Sequence, residues 1–258
     1  MEQGLALMLG MHNGGTYLRA IALTISADDS DTYNVYTAAG SPSDPVEVTL
    51  TINAGIKVGG GTSTSTNGSI QIPTGFHALS IIKIVNNGYI VGKGGSGGKG
   101  GDALAGNGVN GGSGGHAITT ARRTIIDNQN GHIYGGGSGG CGGGAGNLVF
   151  PGGGGGGGGG AGYPDSSGGA AGTGTPNGSA GATGNMTYPG GGGAPGNGGG
   201  AGGGGGGFGG QGDAGQDGAG GSGATNPGAA GNAVKINSGG SIMFLSGNNA
   251  AQVKGAVG

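Results

Sequence analysis

Pro151-Gly152-Gly153-Gly154-Gly155-Gly156-Gly157-Gly158-Gly159-Gly160-Ala161 places nine glycines in succession, and this stretch decides what kind of fold the chain can adopt. Glycine costs a helix interior about 1 kcal/mol per residue relative to alanine, and it brings no side chain to a conventional core. Such a run belongs to a collagen triple helix, a flexible linker, or a packed array of extended glycine helices. Collagen needs glycine at every third position; residues 152–160 and 202–207 go beyond that rule, and residues 103–105, 122–130 and 147–151 break it. Flexible Gly/Ser linkers are solvated coils, and disordered chains stay soluble through charge and polar side chains. Residues 92–232 carry only Lys93, Lys99, Asp102, Arg122, Arg123, Asp127, Asp165, Asp213 and Asp217 as charged groups. The packed state is therefore the preferred reading, with disorder as the alternative. Its unit is the left-handed three-residue helix of polyproline II type, rising about 3.1 Å per residue without internal hydrogen bonds. Each N–H and C=O then has to be met by a neighbouring helix.

Outward from this run, the 81 glycines of the 258 residues divide into 12 in residues 1–91, 64 in residues 92–232 and 5 in residues 233–258. With 8% charged and 4% aromatic residues and no tryptophan, the chain lacks the large side chains on which doubly wound sheets, helix bundles and barrels depend, which argues against an enzyme. The net charge of −2 without a basic run leaves no electrostatic footprint for nucleic acid. No apolar stretch is long enough to span a bilayer, so membrane insertion is not expected. The apolar start lacks the basic flank and cleavage site of a signal peptide. Cys141 is the only cysteine, so no intramolecular disulfide can form.

The first region has β character. Val46, Val48, Leu50 and Ile52 alternate with Glu47, Thr49 and Thr51, the period of a half-buried strand, and residues 70–72 and 79–85 are further strand candidates. A loose repeat follows: Ile84-Val85-Asn86-Asn87-Gly88-Tyr89-Ile90-Val91-Gly92 recurs as Ile126-Asp127-Asn128-Gln129-Asn130-Gly131-His132-Ile133-Tyr134-Gly135, with weaker echoes starting at Ile52 and Ile236. Each copy has the chemistry of a strand, an Asn/Gly turn and a second strand. The expected fold is thus mainly irregular and β. It comprises a β-rich domain over residues 1–91, a sandwich of packed polyglycine II helices joined by short loops over 92–232, and a strand-containing tail over 233–258 that packs back near the first domain. Leu5, Leu7, Met8, Leu9, Met11, Leu18 and Ile21 form an apolar start with too little chain around it to cover it, which marks a partner surface.

If successive glycine helices run antiparallel, with residues 168–182 as one unbroken helix, the links at 102–110, 147–151, 183–189, around Phe208 and at 225–227 share one end. Those at 118–134, 163–167 and 233–246 share the other, nearest the first region. The first set holds Asp102, Leu104, Asn107, Val109 and Asn110, then Asn147, Leu148, Val149 and Phe150, then Met186, Thr187 and Tyr188, then Phe208, Thr225 and Asn226. Apolar and aromatic groups in links, where polar residues are the norm, are candidate binding residues, because large aromatics dominate binding hot spots. Their bland alternative is capping of the helix ends.

Other motifs carry less. Gly94-Gly95-Ser96-Gly97-Gly98 matches a nucleophile elbow only as any glycine-rich sequence does, and no lysine precedes Ser or Thr as a phosphate loop requires. Residues 97–105 fit a calcium nonapeptide once, without the tandem copies such sites need. His12, His77, His116 and His132 have no metal-ligand spacing. No catalytic residues, metal or cofactor are expected. Cys141 takes the place of Lys99 in the repeat, an outward or interhelix site.

The stretch from Asn86 to Gly98, followed by glycine runs broken by short loops, resembles the receptor-recognising adhesins at the tips of the long tail fibres of T-even-type bacteriophages of Salmonella and related enterobacteria. The resemblance extends over the whole chain in the order of its parts. It implies a monomer capping a trimeric long-tail-fibre protein through an N-terminal attachment domain, made in the host cytoplasm and carried at the fibre tip of the virion. It also implies distal loops that bind an outer-membrane protein of porin type, with lipopolysaccharide as an additional or alternative receptor. The competing expectations are an ice-binding protein, a structural glycine-rich protein and a fibre-assembly chaperone.

Overall fold

The computed structural model describes residues 18–60, 67–104 and 106–258. Among these residues thirteen strands follow one another in a repeating circuit: β1 (Arg19–Ile25), β2 (Tyr33–Asn34), β3 (Val46–Ile52), β4 (Lys57–Val58), β5 (Gly68–Ile72), β6 (Ile81–Asn86), β7 (Tyr89–Val91), β8 (His116–Thr120), β9 (Arg123–Asp127), β10 (His132–Tyr134), β11 (Val234–Ile236), β12 (Ser241–Ser246) and β13 (Val253–Lys254). They form three sheets: β1-β3-β6-β9-β12 (sheet A), β13-β10-β7-β4 (sheet B) and β11-β8-β5-β2 (sheet C). Every pairing is parallel. Parallel neighbours need a crossover connection, and here coiling supplies it. The chain passes through C, then A, then B, and steps to the next layer, making a three-sided coil.

The alternation read in β3 is what turns its apolar residues inward: Val46, Val48, Leu50 and Ile52 are fully buried, while Glu47 is exposed. Ile70, Ile82, Ile84, Ile90, Ile118, Ile126 and Ile133 join them in one core, β-branched side chains suited to a pleated surface. The repeated Asn/Gly turn is the corner between sheets A and B, so its two strands belong to different sheets. Asn86 Nδ2 donates to Asn128 Oδ1 at 2.7 Å and Asn128 Nδ2 to the Gly247 carbonyl at 2.8 Å, a ladder linking successive layers. The echo at Ile236 lies at a different corner, between β11 and β12, although its Asn/Gly chemistry is the same.

Among the described residues two excursions leave the coil, both where sheet B hands the chain to sheet C: residues 92–115 between β7 and β8, and residues 135–233 between β10 and β11. Segments on both sides of Val91 and of residue 233 therefore feed the same three sheets. Among the described residues of the excursions the backbone is extended, without α-helix or ladder, and its hydrogen bonds have a period of three. Gly95, Gly98 and Gly101 donate to the carbonyls of Gly137, Gly140 and Gly143, and Gly139, Gly142 and Ala145 to those of Gly112, Val109 and Gly106.

The run over residues 152–160 is enclosed on all sides. Gly154, Gly157 and Gly160 donate to Gly101, Gly98 and Gly95; Gly153, Gly156 and Gly159 donate to Pro176, Ser179 and Ala182; Gly155 and Gly158 donate to Gly200 and Gly203. Their carbonyls accept from three other runs, through Gly143 and Gly140, Gly172 and Gly169, and Gly196, Gly193 and Gly190. A Cβ on Gly157 would stand 2.0 Å from the Gly140 carbonyl oxygen, and one on Gly155 2.0 Å from that of Gly193. No other residue type fits, so glycine is unbroken here. Gly191, on a peripheral run, has nothing within 4 Å of its Cβ position. Gly157→Ala should accordingly lower stability by about 1–3 kcal/mol or more, whereas Gly191→Ala should leave it unchanged or raise it by about 0.4–1 kcal/mol. Thermal denaturation of the two variants decides this.

Candidate functional site

The ends of the runs fall into two groups. One lies against the coil; the other, at the far end, gathers the links at 102–104, 147–151, 173–177, 195–198 and 217–221. Hydrogen bonds tie neighbouring links there to one another. The Thr175 N–H donates to the Pro151 carbonyl at 2.6 Å, the Gly152 N–H to that of Asn197 at 2.9 Å, and the Ala219 N–H to that of Gly198 at 2.7 Å. Asp102 Oδ1 accepts from both the N–H and the hydroxyl of Thr173 at 2.9 Å, and Lys99 Nζ lies 2.6 Å from Asp102 Oδ2. The Lys99 hydrogen bond, then those of Thr173, hold the Asp102 carboxyl down at about 2.

The 147–151 link is closed by its own first residue: Asn147 Oδ1 accepts the N–H groups of Val149 and Phe150 at 3.0 and 2.9 Å, an Asx turn. The loop is thereby shaped without its apolar side chains, which face solvent: Leu148 is 83% exposed, Val149 74% and Phe150 47%. Leu104, 58% exposed and at φ 69°, stands on the adjoining link. A shallow depression beside them is lined by Asn107, Asp217 and Ser222 with the intervening glycine backbone, and Asn107 Oδ1 accepts the Ser222 N–H at 3.0 Å.

Not every expected site residue belongs to this group. Residues 168–182 are not one run. A turn at 174–176 folds them back, so that Gly178 and Gly181 donate to the Gly172 and Gly169 carbonyls, and Asn177 Oδ1 closes the turn on the Gly174 N–H. This reverses the direction of everything downstream. Met186, Thr187 and Tyr188 consequently sit at the coil end, in a link whose Asn185 carbonyl accepts from Gly162. Phe208 also lies there, its ring 4.7 Å from that of Tyr134 and 5.9 Å below Lys254 Nζ.

Thr225 and Asn226 form no turn. They are exposed on the flank of an extended run, whose backbone geometry accepts Pro227. That second departure restores the direction lost at 174–176. Val109 and Asn110 are exposed one level below the tip, where the Val109 N–H donates to the Lys99 carbonyl. Thr173, Asn177, Asn197 and Asp217 were missed, although Asn177-Gly178, Asn197-Gly198 and Asp217-Gly218 are turn dipeptides.

Of the expected partner-surface residues, Leu5, Leu7, Met8, Leu9 and Met11 lie outside the described residues. Leu18 is half-buried, and Ile21, paired with Val48, packs against the core. Cys141 is fully buried in an enclosed run while Lys99 is exposed on an outer one. Among the described residues no group of His, Cys, Asp or Glu is arranged to hold a metal ion, and no helix is long and apolar enough to cross a membrane.

Residues 20–257 match the family described as phage tail fibre adhesin Gp38, and the chain belongs to that family. The family is one of tail fibre adhesins, structural components of the virion fibre. The fold is similar to a chain in the crystal structure of the gp37-gp38 adhesin tip complex of the bacteriophage S16 long tail fibre, with a TM-score of 0.54 and 21% identity, covering 90% of this chain and 80% of that one. A comparison with curated proteins gives no match.

The lowered Asp102 value has a measurable consequence. Ordinary carboxyls titrate near 3.8. A depressed folded-state value means that the stabilisation contributed by the ionised carboxyl is fully present above that range and is lost progressively as pH falls from there through about 2. Following the Asp102 carboxyl by NMR should give a midpoint near 2, returning toward 3.8 in Lys99→Met; an unchanged midpoint in that variant contradicts the assignment to Lys99.

Proposed function

We propose that this chain is the receptor-binding tip of a phage long tail fibre, capping a trimeric fibre protein as a monomer and setting host range by binding an outer-membrane protein of porin type. Lipopolysaccharide is an additional or alternative receptor, and production in the host cytoplasm precedes assembly on the virion. The observation that carries the reading is the placement of Leu104, Leu148, Val149 and Phe150, all exposed, on hydrogen-bonded turns at the end of the glycine frame farthest from the coil. Exposed apolar groups on turns closed by hydrogen bonds, here to the Asn147 side chain, give a rigid, desolvation-ready contact, and preorganisation of this kind reduces the cost of binding.

The frame itself is a sandwich of polyglycine II helices in this reading. What supports it is the three-residue hydrogen-bond period and the enclosure of residues 152–160. Attachment falls to the β-rich part, with residues 1–91 as its N-terminal share, residues 92–232 as the frame with its links, and residues 233–258 returning to the coil. The S16 tip complex, in which gp37 and gp38 occur together, supports the fibre protein as partner.

Leu148→Asp with Val149→Asp should reduce adsorption of phage carrying the altered adhesin by roughly 30-fold or more, the loss expected for a hot-spot pair. Tyr188→Asp, 71% exposed at the coil end, should leave adsorption unchanged. Equal effects from the two changes would sink the assignment of the tip.

A further inference from the structure

Eight Asn-Gly pairs punctuate the chain. At such a pair the backbone nitrogen of the glycine can attack the preceding side-chain amide carbon, because glycine has no Cβ to hinder the approach. The nitrogen is a nucleophile only after losing its proton, so a hydrogen bond that holds its N–H protects the pair. Asn13–Gly14 lies outside the described residues. In five of the other seven the glycine N–H is engaged. Gly68 donates to Thr119 Oγ1 at 3.2 Å and Gly88 to Asn86 Oδ1 at 3.1 Å, while Gly108, Gly131 and Gly178 donate to the carbonyls of Ser222, Asn128 and Gly172 at 2.9, 3.3 and 3.1 Å. The N–H groups of Gly111 and Gly198 meet no acceptor among the described residues.

Turn geometry explains Gly198. The Gly199 N–H donates to the Gly196 carbonyl at 3.0 Å and Gly198 stands at φ 78°, a four-residue turn of the kind that needs glycine at its third position. The central peptide of that turn, between Asn197 and Gly198, is bonded through one side only. Its carbonyl accepts the Gly152 N–H at 2.9 Å, a donor shared with the Phe150 carbonyl, and its N–H is left over. A hydrogen bond to the carbonyl draws charge from the peptide and makes the opposite N–H more acidic. Among the described residues the Asn110 carbonyl receives no such bond. The side-chain oxygens of Asn107, Asn147 and Asn177 are tied to backbone N–H groups, whereas the Asn197 side chain is exposed and has no hydrogen-bond partner among the described residues.

We propose that Asn197–Gly198 is a site of spontaneous self-modification, at which the far end of the frame acquires a carboxylate. Hydroxide takes the Gly198 amide proton, the nitrogen bonds to the Asn197 side-chain carbon, and ammonia leaves with a proton from water, closing a succinimide ring. Water then opens either ring carbonyl, giving aspartate or isoaspartate at that position. Isoaspartate carries the main chain through the former side-chain methylene. The turn packs directly on the apolar loop, since a Cβ on Gly198 would stand 2.5 Å from Phe150 Cβ. On the receptor-binding reading above, on which this consequence rests, a negative charge arrives beside Phe150, and a lengthened main chain no longer offers its carbonyl to the Gly152 N–H in the same place. Receptor affinity therefore declines as the protein ages, and faster at higher pH because the first step consumes hydroxide.

The test incubates the purified full chain in warm, mildly alkaline buffer, both folded and in denaturant. Each Asn-Gly peptide is followed by mass spectrometry and isoaspartyl methyltransferase labelling, and binding to host cells is measured on the same folded samples. In the folded chain the Asn197 peptide should convert first. Those of Asn67, Asn87, Asn107, Asn130 and Asn177 should be slower by roughly fivefold or more, the effect of a hydrogen bond that must break beforehand, and in denaturant the rates should converge. Cell binding should fall in step with Asn197 conversion, by about tenfold at completion. Asn197→Gln, whose longer side chain does not close the same ring, should hold its own starting level of binding through the incubation. Conversion of Asn197 no faster than that of the five bonded pairs overturns the site. Full conversion with undiminished cell binding overturns its consequence for the contact. A fresh chain that binds no host cell overturns the receptor-binding reading, while conversion at Asn197, read by mass alone, still decides the site.

Discussion

The hydrogen bond between one extended glycine backbone and the next is the interaction on which the molecule depends. Such runs have no internal bonds, so every amide must be answered from outside. Residues 152–160 show the limiting case, donating to three neighbouring runs and accepting from three others. The cost is conformational: ordering a glycine backbone takes about 1–2 kcal/mol per residue, and little apolar burial is available to offset it within the frame. Close approach of the runs is what makes the bonds possible, and close approach is what forbids a Cβ. Composition and architecture are thus one constraint seen from two sides.

The β coil supplies what the frame lacks. Its buried isoleucines and valines form a conventional core, and the ends of β7 and β10 fix where the first runs start. The clasp of Phe208 against Tyr134 and Lys254 ties a later return link to the same support. Rigidity then passes outward along the runs to turns that are closed by side-chain caps such as Asn147 and Asn177. The far end owes its shape to backbone bonds between links and to these polar caps, and leaves its apolar side chains uncommitted.

Much of this was legible in the sequence, and what was not has identifiable physical causes. The unbroken glycines of 152–160 announced an enclosed run, and the alternation from Val46 to Ile52 announced an inward-facing strand. That the strands coil in parallel was not legible, because an Asn/Gly turn looks the same whether its strands pair with each other or with strands of the next layer. The direction of the runs was the harder problem. Pro176 and Pro227 both suit extended backbone and turns, so the true turn at 174–176 and the false one at 225–227 could be told apart only by their neighbours. The burial of Cys141 against the exposure of Lys99 has the same origin: equivalent positions in a repeat acquire different surroundings when one run is central and the other peripheral.

Both excursions depart from the coil and rejoin it at the same corner. A chain that must come home to its next strand can lengthen such an excursion only by whole round trips, because an odd number of runs would leave it stranded at the far end. Growth of the frame is therefore quantised in pairs. Each added pair contributes one new turn to the far end of the frame, widening it while the layers of the coil remain in register.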